Sequence, residues 1–314
     1  MPAQALHAPT SRDDETRGLW LGLLGVAIFA LTLPMTRMAV GPAEAPQLPP
    51  LFVTAGRAGF AGLLSIVYLL AVRAPWPRRA QLAAFAVSAL GTVVGFPLFL
   101  ALALRHVDAM HAAVVTGLLP LATAVAAALW LRQRPSAGFW ACAVAGCALV
   151  VAFALLRGSG SLSLADALLL GAVASAAVGY VAGARLAAQM PAEQVICWVL
   201  VLSLPLTLPV TLLAWPSAPV RAVSWGAFAY VALFSMWLGF FAWYRGLALG
   251  GTVRVSQVQL VQPFLSLLAA VPLLGEHLDA ATVAFSLAVI ATVFLGKKMP
   301  AHRSNRIQRT GEKP

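Results

Sequence analysis

Charged side chains are scarce in this sequence. Asp, Glu, Lys and Arg make up 10% of the 314 residues, whereas soluble globular proteins contain about 25%. Hydrophobic residues make up 61%, and no water-soluble fold can bury that much apolar surface. The composition therefore excludes a soluble protein and predicts an all-α integral membrane protein.

Acidic residues are the rarer charge, and all ten fall in predicted tails, loops or ends of membrane spans. They are Asp13, Asp14, Glu15, Glu44, Asp108, Asp166, Glu193, Glu276, Asp279 and Glu312. A carboxylate at mid-membrane depth commonly marks a proton or sodium site, so the sequence offers no obvious coupling site of that kind.

The signatures of metal, redox and hydrolytic chemistry are also missing. The three cysteines, Cys142, Cys147 and Cys197, lie in apolar runs without a CxxC pair, so we interpret them as small buried hydrophobic residues. His106, His111 and His277 lie at predicted outer ends and are interpreted as exposed loop histidines. Without a Walker loop, HExxH or GxSxG, we expect no enzyme activity, metal or cofactor.

Long apolar runs dominate what remains, and a membrane span needs about 20 mostly apolar residues. Ten runs qualify: 18–40, 51–72, 80–104, 110–131, 138–156, 164–187, 194–215, 224–249, 252–274 and 280–298. We expect four regions: a cytoplasmic tail over 1–17, five helices over 18–156, five more over 164–298, and a basic tail over 299–314.

Basic residues predict the orientation of these helices. Lys and Arg of short loops accumulate on the cytoplasmic side. A cytoplasmic N-terminus places most of them inside and leaves Arg105, Arg157 and Arg221 outside. Both termini are therefore predicted to be cytoplasmic. The net charge of +11 lies between apolar runs and in the tail, a pattern that does not predict nucleic-acid binding.

The two halves of the sequence resemble each other. At an offset of 143 residues, 95–127 aligns with 238–270, and Pro120 falls on Pro263. Five spans is an odd number, so the second five-helix repeat must enter the membrane inverted. Inverted repeats are typical of transporters, whose substrates bind between the repeats near the midplane. Pro120 and Pro263 are expected to bend their helices there.

The ninth span carries a polar stripe that ought to avoid lipid. Ser256, Gln259, Pro263 and Ser266 follow helical spacing on one face, and Gln262 adjoins them. Such a face must contact protein or a water-filled cavity. Both a cavity lining and helix–helix hydrogen bonding account for the stripe.

Arg57 is the most conspicuous charge, because it lies well inside the second span within TAGRAGFAG. A buried arginine needs carbonyl groups, a distant acid or an anionic ligand, so its role is either structural or functional. Arg37 follows Thr36 near the outer end of the first span, where snorkelling to the headgroups explains it. We include all three as candidates for the substrate cavity.

Aromatic side chains supply the remaining candidates. Trp237 and Tyr244 lie in WLGFFAWYRG of the eighth span, and Tyr180 lies in the sixth. They could form an interfacial belt, or stack on a planar or cationic substrate if they face the cavity.

The sequence resembles the EamA family of the drug/metabolite transporter superfamily. The resemblance rests on the two five-helix halves, FALTLPMTR, Arg57 and VQPFLSLLAAVPLLGEHLD. It implies a multi-pass secondary carrier of a bacterial cytoplasmic membrane that exports amino acids, metabolites or drugs. It also implies a central cavity lined by helices one, three, four, six, eight and nine.

One feature departs from the family pattern. Arg132 and Gln133 stand where Gly275 and Glu276 stand in the second half. Glu276 is expected to cap a helix at the outer surface and to bind no substrate.

Several alternatives compete with an exporter of small organic solutes. A nucleotide-sugar or phosphate-ester carrier would need several Lys or Arg around the cavity, and only Arg57 and Arg37 qualify. A membrane-embedded lipid-modifying enzyme would need acids or a metal cluster. The expected partners are a small-molecule substrate and the bilayer, and the sequence is compatible with a homodimer.

Overall fold

The chain folds into a helical bundle whose segments cross the membrane repeatedly. This computed structural model describes residues 12–130, 134–157, 162–250, 256–298 and 301–302. In lipid a backbone has no solvent partner for its N–H and C=O groups, so each apolar run closes its hydrogen bonds internally as a helix. The described part has ten helical segments, numbered in chain order below.

The bounds of the segments follow the predicted spans closely. They are segment 1, Arg12–Ala30 and Thr32–Val40; segment 2, Pro50–Ala71; segment 3, Arg79–Gln81, Leu82–Ser88, Ala89–Gly95 and Phe96–Ala103; segment 4, Ala109–Thr116 and Leu119–Trp130; segment 5, Ala137–Arg157; segment 6, Leu164–Ala187; segment 7, Ala192–Leu213; segment 8, Ala222–Tyr230, Val231–Leu238 and Gly239–Gly250; segment 9, Ser256–Val261 and Gln262–Leu274; and segment 10, Ala280–Lys298.

Segments 1 to 8 each contain a helix long and apolar enough to cross a bilayer. Segments 9 and 10 contribute two shorter apolar helices, Val258–Leu274 and Ala280–Gly296. The described part also has one two-residue ladder, in which Arg134–Pro135 pairs antiparallel with Ala301–His302. The protein is therefore a multi-pass helical membrane protein.

Local sequence signals fix where several helices start and stop. Pro50 begins segment 2, where the first backbone N–H has no helical partner to lose. Ser163 caps segment 6 by accepting a hydrogen bond from the Asp166 N–H, while the Asp166 carboxylate accepts one from the Ser163 N–H. Gly275 ends segment 9 in the left-handed conformation at φ 69°, which glycine adopts without strain.

Segments 3 and 8 each contain a wide π-helical turn. The turns are Ala89–Gly95 and Val231–Leu238. At the offset of 143 residues the first turn falls on 232–238, so the two occupy equivalent positions in the two halves. π-Helical turns inside α-helices are uncommon and concentrate at functional sites.

Contacts between the halves follow a regular scheme. Segment 2 packs on segment 7, segment 5 on segment 10, segment 3 on segment 6, and segment 1 on segment 8. Glycines allow the closest approaches: a Cβ at Gly91 would lie 2.4 Å from the Ser175 carbonyl oxygen, and one at Gly246 would lie 2.6 Å from the Gly22 nitrogen. The halves are therefore packed too closely for side chains at these points.

Candidate substrate cavity

A small cavity of about 60 Å³ lies between the two halves. Its described lining comes from segments 1, 2, 3, 4, 6, 8 and 9: Phe29, Thr32, Leu33, Arg57, Thr92, Phe96, Thr116, Leu119, Ala176, Tyr180, Ser235, Met236, Phe240 and Gln262. The resemblance implied all of these segments except segment 2, which contributes Arg57. Three phenylalanines, two leucines and a methionine make much of the wall apolar.

Arg57 is the charged group of the described lining. It lies seven residues after the start of segment 2, about 10 Å along the helix axis, and its side chain is only 3% exposed. Its Nη2 donates to the Ser235 Oγ at 2.9 Å, whereas Nε and Nη1 have no hydrogen-bond partner among the described residues. No described carboxylate lies within 4.0 Å of it, since the described ion pairs join other residues.

The two π-helical turns deliver hydroxyl groups to this cavity. Ser235 lies in the turn of segment 8 and also shares a 2.8 Å hydrogen bond with the Thr32 Oγ1. Thr92 lies in the turn of segment 3 and donates to the Ser88 carbonyl at 2.7 Å. Sequence reasoning missed both residues, although the offset of 143 places one hydroxyl residue on the other.

Segments 4 and 9 meet beside the cavity at their two prolines. A smaller space of about 20 Å³ is lined by Pro120, Pro263, Gln259 and Gln262, among others. Helix Leu119–Trp130 and helix Gln262–Leu274 each restart with proline as their second residue. The prediction was a bend, and the structure shows each segment interrupted and restarted there, because proline fits the first turn of a helix without losing a bond.

The polar stripe of segment 9 divides into two roles. Gln259 and Gln262 line the space between the halves, and Gln262 also lines the cavity of Arg57. The Ser266 hydroxyl donates to the Ala30 carbonyl at 2.8 Å, which is the helix–helix hydrogen bond that the sequence left open. The side chain of Ser256 lies outside the described residues.

Arg37 lies at the outer end of segment 1 and is absent from the described lining. Its guanidinium donates to the Leu104 carbonyl and lies 3.9 Å from the Asp108 carboxylate. Thr36 is buried, and its Oγ1 has no hydrogen-bond partner among the described residues. Of the two arginine candidates, Arg57 alone contributes to the described lining.

The aromatic candidates also separate. Tyr180 lines the cavity. Trp237 packs on Phe241 with ring centroids 4.9 Å apart, and Tyr244 packs on Phe240 at 5.6 Å. Neither Trp237 nor Tyr244 belongs to the described lining, which instead receives Phe240 from the same helix.

The outer ends of the halves are held together by polar contacts. The Glu276 carboxylate accepts hydrogen bonds from the Ala109 and Met110 N–H groups at 2.7 and 2.8 Å, so it caps a helix of the opposite half. Burial raises the pKa of this carboxyl, against the effect of the two N–H donors, which lower it.

The expectation of exposed loop histidines was wrong for His111. Its Nε2 lies 2.7 Å from the Asp166 carboxylate, and its side chain is 13% exposed. Residues 109–116 form a helix whose first turn approaches segment 6, so packing between the halves covers His111.

The inner ends are joined as well. Gln81 donates to the Gln189 side chain at 3.1 Å, and the Arg185 guanidinium lies 5.6 Å from the centre of the Trp130 ring. Both contacts link the first half to the second. The cavity is therefore enclosed by contacts between the halves at both ends.

A small enclosed space between two halves of a multi-pass helical protein is the arrangement of a membrane carrier. Sequence comparison then specifies the family. The chain belongs to the EamA-like transporter family, whose sequence model matches residues 16–156 and again residues 163–296. The resemblance inferred from the sequence is thus confirmed, and the protein is a transporter.

Two known proteins illustrate the relationship. Over 290 residues, 91% of this chain, it is 44% identical to 99% of the uncharacterized transporter YdeK of Bacillus subtilis (strain 168). A crystal structure described only as that of a protein has 20% identity and a TM-score of 0.60, covering 90% of this chain and 96% of its own. The second match shows the fold alone.

Proposed function

We propose that the protein is a secondary carrier that exports small organic solutes, such as amino acids, metabolites or drugs, across a bacterial cytoplasmic membrane. The proposal includes ten membrane-spanning helices in two inverted halves, with both termini in the cytoplasm. Substrate reaches the cavity from alternate sides as the halves rock against each other.

One observation carries the proposal: residues equivalent by the repeat meet at the enclosed cavity. Thr92 of segment 3 and Ser235 of segment 8 both line it, as do Leu119 of segment 4 and Gln262 of segment 9. Each pair is 143 residues apart. A site formed by equivalent positions of two repeats is what an approximate two-fold axis through the cavity produces.

The packing of the segments supports the same symmetry. If segments 1 to 5 correspond to segments 6 to 10, the pairs 2–7 and 5–10 each join equivalent segments. The pairs 1–8 and 3–6 exchange under the same correspondence. The contact scheme is therefore unchanged when the halves are exchanged.

The size of the cavity supports alternating access. About 60 Å³ accommodates roughly two water molecules at the volume that water occupies in the liquid. An organic solute enters only if the halves separate. The contacts of Glu276 at the outer end and of Gln81 at the inner end are the polar links that such separation must break.

The described lining does not favour a phosphate-ester or nucleotide-sugar carrier. Arg57 is its single cation, whereas a phosphate with two negative charges calls for several Lys or Arg donors.

An export screen tests the proposal. Cells overexpressing the protein should release a solute from a panel of amino acids, toxic analogues and organic acids, and should tolerate its toxic form. Arg57→Gln present at equal membrane abundance is expected to lose the export, whereas Arg245→Gln, an exposed arginine in segment 8, should retain it. Failure of every solute in the panel, in cells and in proteoliposomes, would contradict the proposed function.

A further inference from the structure

We infer that Arg57 binds the carboxylate of an organic monoanion, and that the preferred substrate lacks a compensating ammonium group. This inference rests on the proposed function, because it takes the cavity to be the substrate site. It specifies the charge class of the solute, which neither the family nor the described relatives define.

The first argument is the unpaired charge of Arg57. Its side chain is almost fully buried, and two of its three nitrogens have no partner among the described residues. An ion removed from water and left without hydrogen bonds is costly, so buried charges are normally paired. The neutral hydroxyl of Ser235 leaves the positive charge uncompensated.

The second argument is that the unpaired nitrogens belong to a residue of the cavity lining. Arg57 lines the space itself, so an anion there is within reach of the guanidinium. Guanidinium groups bind carboxylates through short, charge-assisted hydrogen bonds in a planar geometry. The hydroxyls of Thr32, Thr92 and Ser235 surround the same space and can donate to a second oxygen.

The third argument concerns the rest of the ligand. Phe29, Phe96, Phe240, Leu33 and Met236 form apolar walls beside the charge. An apolar or aromatic body matches these walls, so a carboxylic acid with a hydrophobic body fits better than a small inorganic anion.

The charge balance distinguishes a monoanion from a zwitterion. The described lining contains one cation and no Asp or Glu. A carboxylate compensates Arg57 one to one. The ammonium of an amino acid would enter the same low-dielectric space without a carboxylate partner, which weakens its binding.

Three probes with one carbon skeleton test the inference on the purified full-length protein. They are 3-phenylpropionate, its neutral amide 3-phenylpropionamide, and the zwitterion phenylalanine. Because a ligand raises the melting temperature according to its concentration relative to Kd, thermal shift in detergent gives their relative affinities. We expect saturable stabilisation by 3-phenylpropionate, and binding at least about tenfold weaker for the amide and for phenylalanine.

Substitutions then assign the effect to Arg57. Arg57→Gln should abolish the preference for the carboxylate, Arg57→Lys should retain part of it, and Arg245→Gln should leave it unchanged. If Arg57→Gln does not fold, the comparison of the three probes on the wild-type protein still decides the matter. Equal binding of amide and carboxylate, or of phenylalanine and carboxylate, overturns the inference.

A size series and a transport assay complete the test. Acetate, butyrate and octanoate extend the probes, and the absence of stabilisation by every carboxylate also overturns the inference. In proteoliposomes, uptake of 3-phenylpropionate above that of its amide supports it. Uptake of the amide or phenylalanine in preference to the carboxylate overturns the inference but leaves the carrier function standing, whereas movement of no solute at all contradicts the carrier function.

Discussion

At the scale of single residues, Arg57 and Glu276 show two ways in which this protein accommodates charge. Glu276 lies at the outer end and accepts two backbone N–H groups from the opposite half, so its charge is compensated by a helix N-terminus. Arg57 lies inside the bundle with Ser235 as its described partner. Protein contacts therefore explain Glu276, and they explain Arg57 incompletely.

Replacing Arg57 by leucine is expected to stabilise the ligand-free protein while removing export. The substitution removes an unpaired buried charge, and Ser235 keeps its hydrogen bond to Thr32. Replacing buried charges by well-packed apolar residues commonly stabilises proteins by about 1 kcal/mol or more. Melting temperature in detergent, measured beside an export assay, checks this. A clear fall in melting temperature would instead assign Arg57 a structural role.

Glu276 predicts a specific pH dependence of stability. Burial raises the pKa of its carboxyl in the folded state, so the folded protein binds this proton more tightly than the unfolded chain. The contribution of Glu276 to stability therefore increases as the pH falls through the folded-state pKa toward the ordinary carboxyl range.

The Glu276→Gln variant isolates that contribution. The difference in melting temperature, wild type minus variant, should grow in favour of the wild type between about pH 8 and pH 5. Glu193→Gln, which alters a carboxyl at the opposite end of the predicted topology, serves as the control. A difference that shrinks as the pH falls would contradict the assignment.

At the scale of elements, the interruptions in helices place the polar groups. The π-helical turns of segments 3 and 8 carry Thr92 and Ser235, and the restarts of segments 4 and 9 place Pro120 and Pro263 beside the glutamines. Each interruption in one half has an equivalent in the other. The sequence indicated the prolines through the repeat, but π-helical turns leave no comparable residue signature.

Close packing between segments 3 and 6 gives a test at this scale. Gly91→Ala places a Cβ 2.4 Å from a backbone oxygen of segment 6, which cannot move without shifting the helix. We expect destabilisation of about 1–3 kcal/mol and reduced transport. Gly226→Ala is the matched control, because a Cβ at Gly226 has no heavy atom within 4 Å. Equal melting temperatures for the two variants would show that the halves do not approach so closely.

At the scale of the whole molecule, the inverted arrangement is the central prediction. The connections between segments 2 and 3 and between segments 7 and 8 are equivalent by the repeat. In inverted halves they must therefore face opposite sides of the membrane. Arg78 lies in the first connection and Ser217 in the second, and both are exposed.

Cysteine labelling in a background without Cys142, Cys147 and Cys197 tests this topology. A membrane-impermeant maleimide added to intact cells should label Ser217→Cys and should label Arg78→Cys only after the membrane is opened. Glu44→Cys, in the exposed connection after segment 1, should behave like Ser217→Cys. Labelling of positions 78 and 217 from the same side would show that the halves are parallel.

Several features followed from the sequence because they depend on local physics. Apolar runs must become helices in lipid, so the segment bounds lie close to the predicted spans. The hydrogen bonds of the Gly275 turn and of the Ser163 cap are also local. The resemblance to the EamA family rested on residues visible in the chain, and comparison confirmed it.

The tertiary structure decided which polar residues share one space. Arg57 and Ser235 are 178 residues apart, and Trp237 turns away from the cavity only one helical step after Met236 enters it. The sequence could not separate Arg37 from Arg57, or recognise His111 as buried, because both outcomes depend on packing between the halves. Sequence alone thus determined a helical membrane transporter with a repeated half. The composition of its cavity arose only when those halves came together, since a contact between distant residues has no local cause.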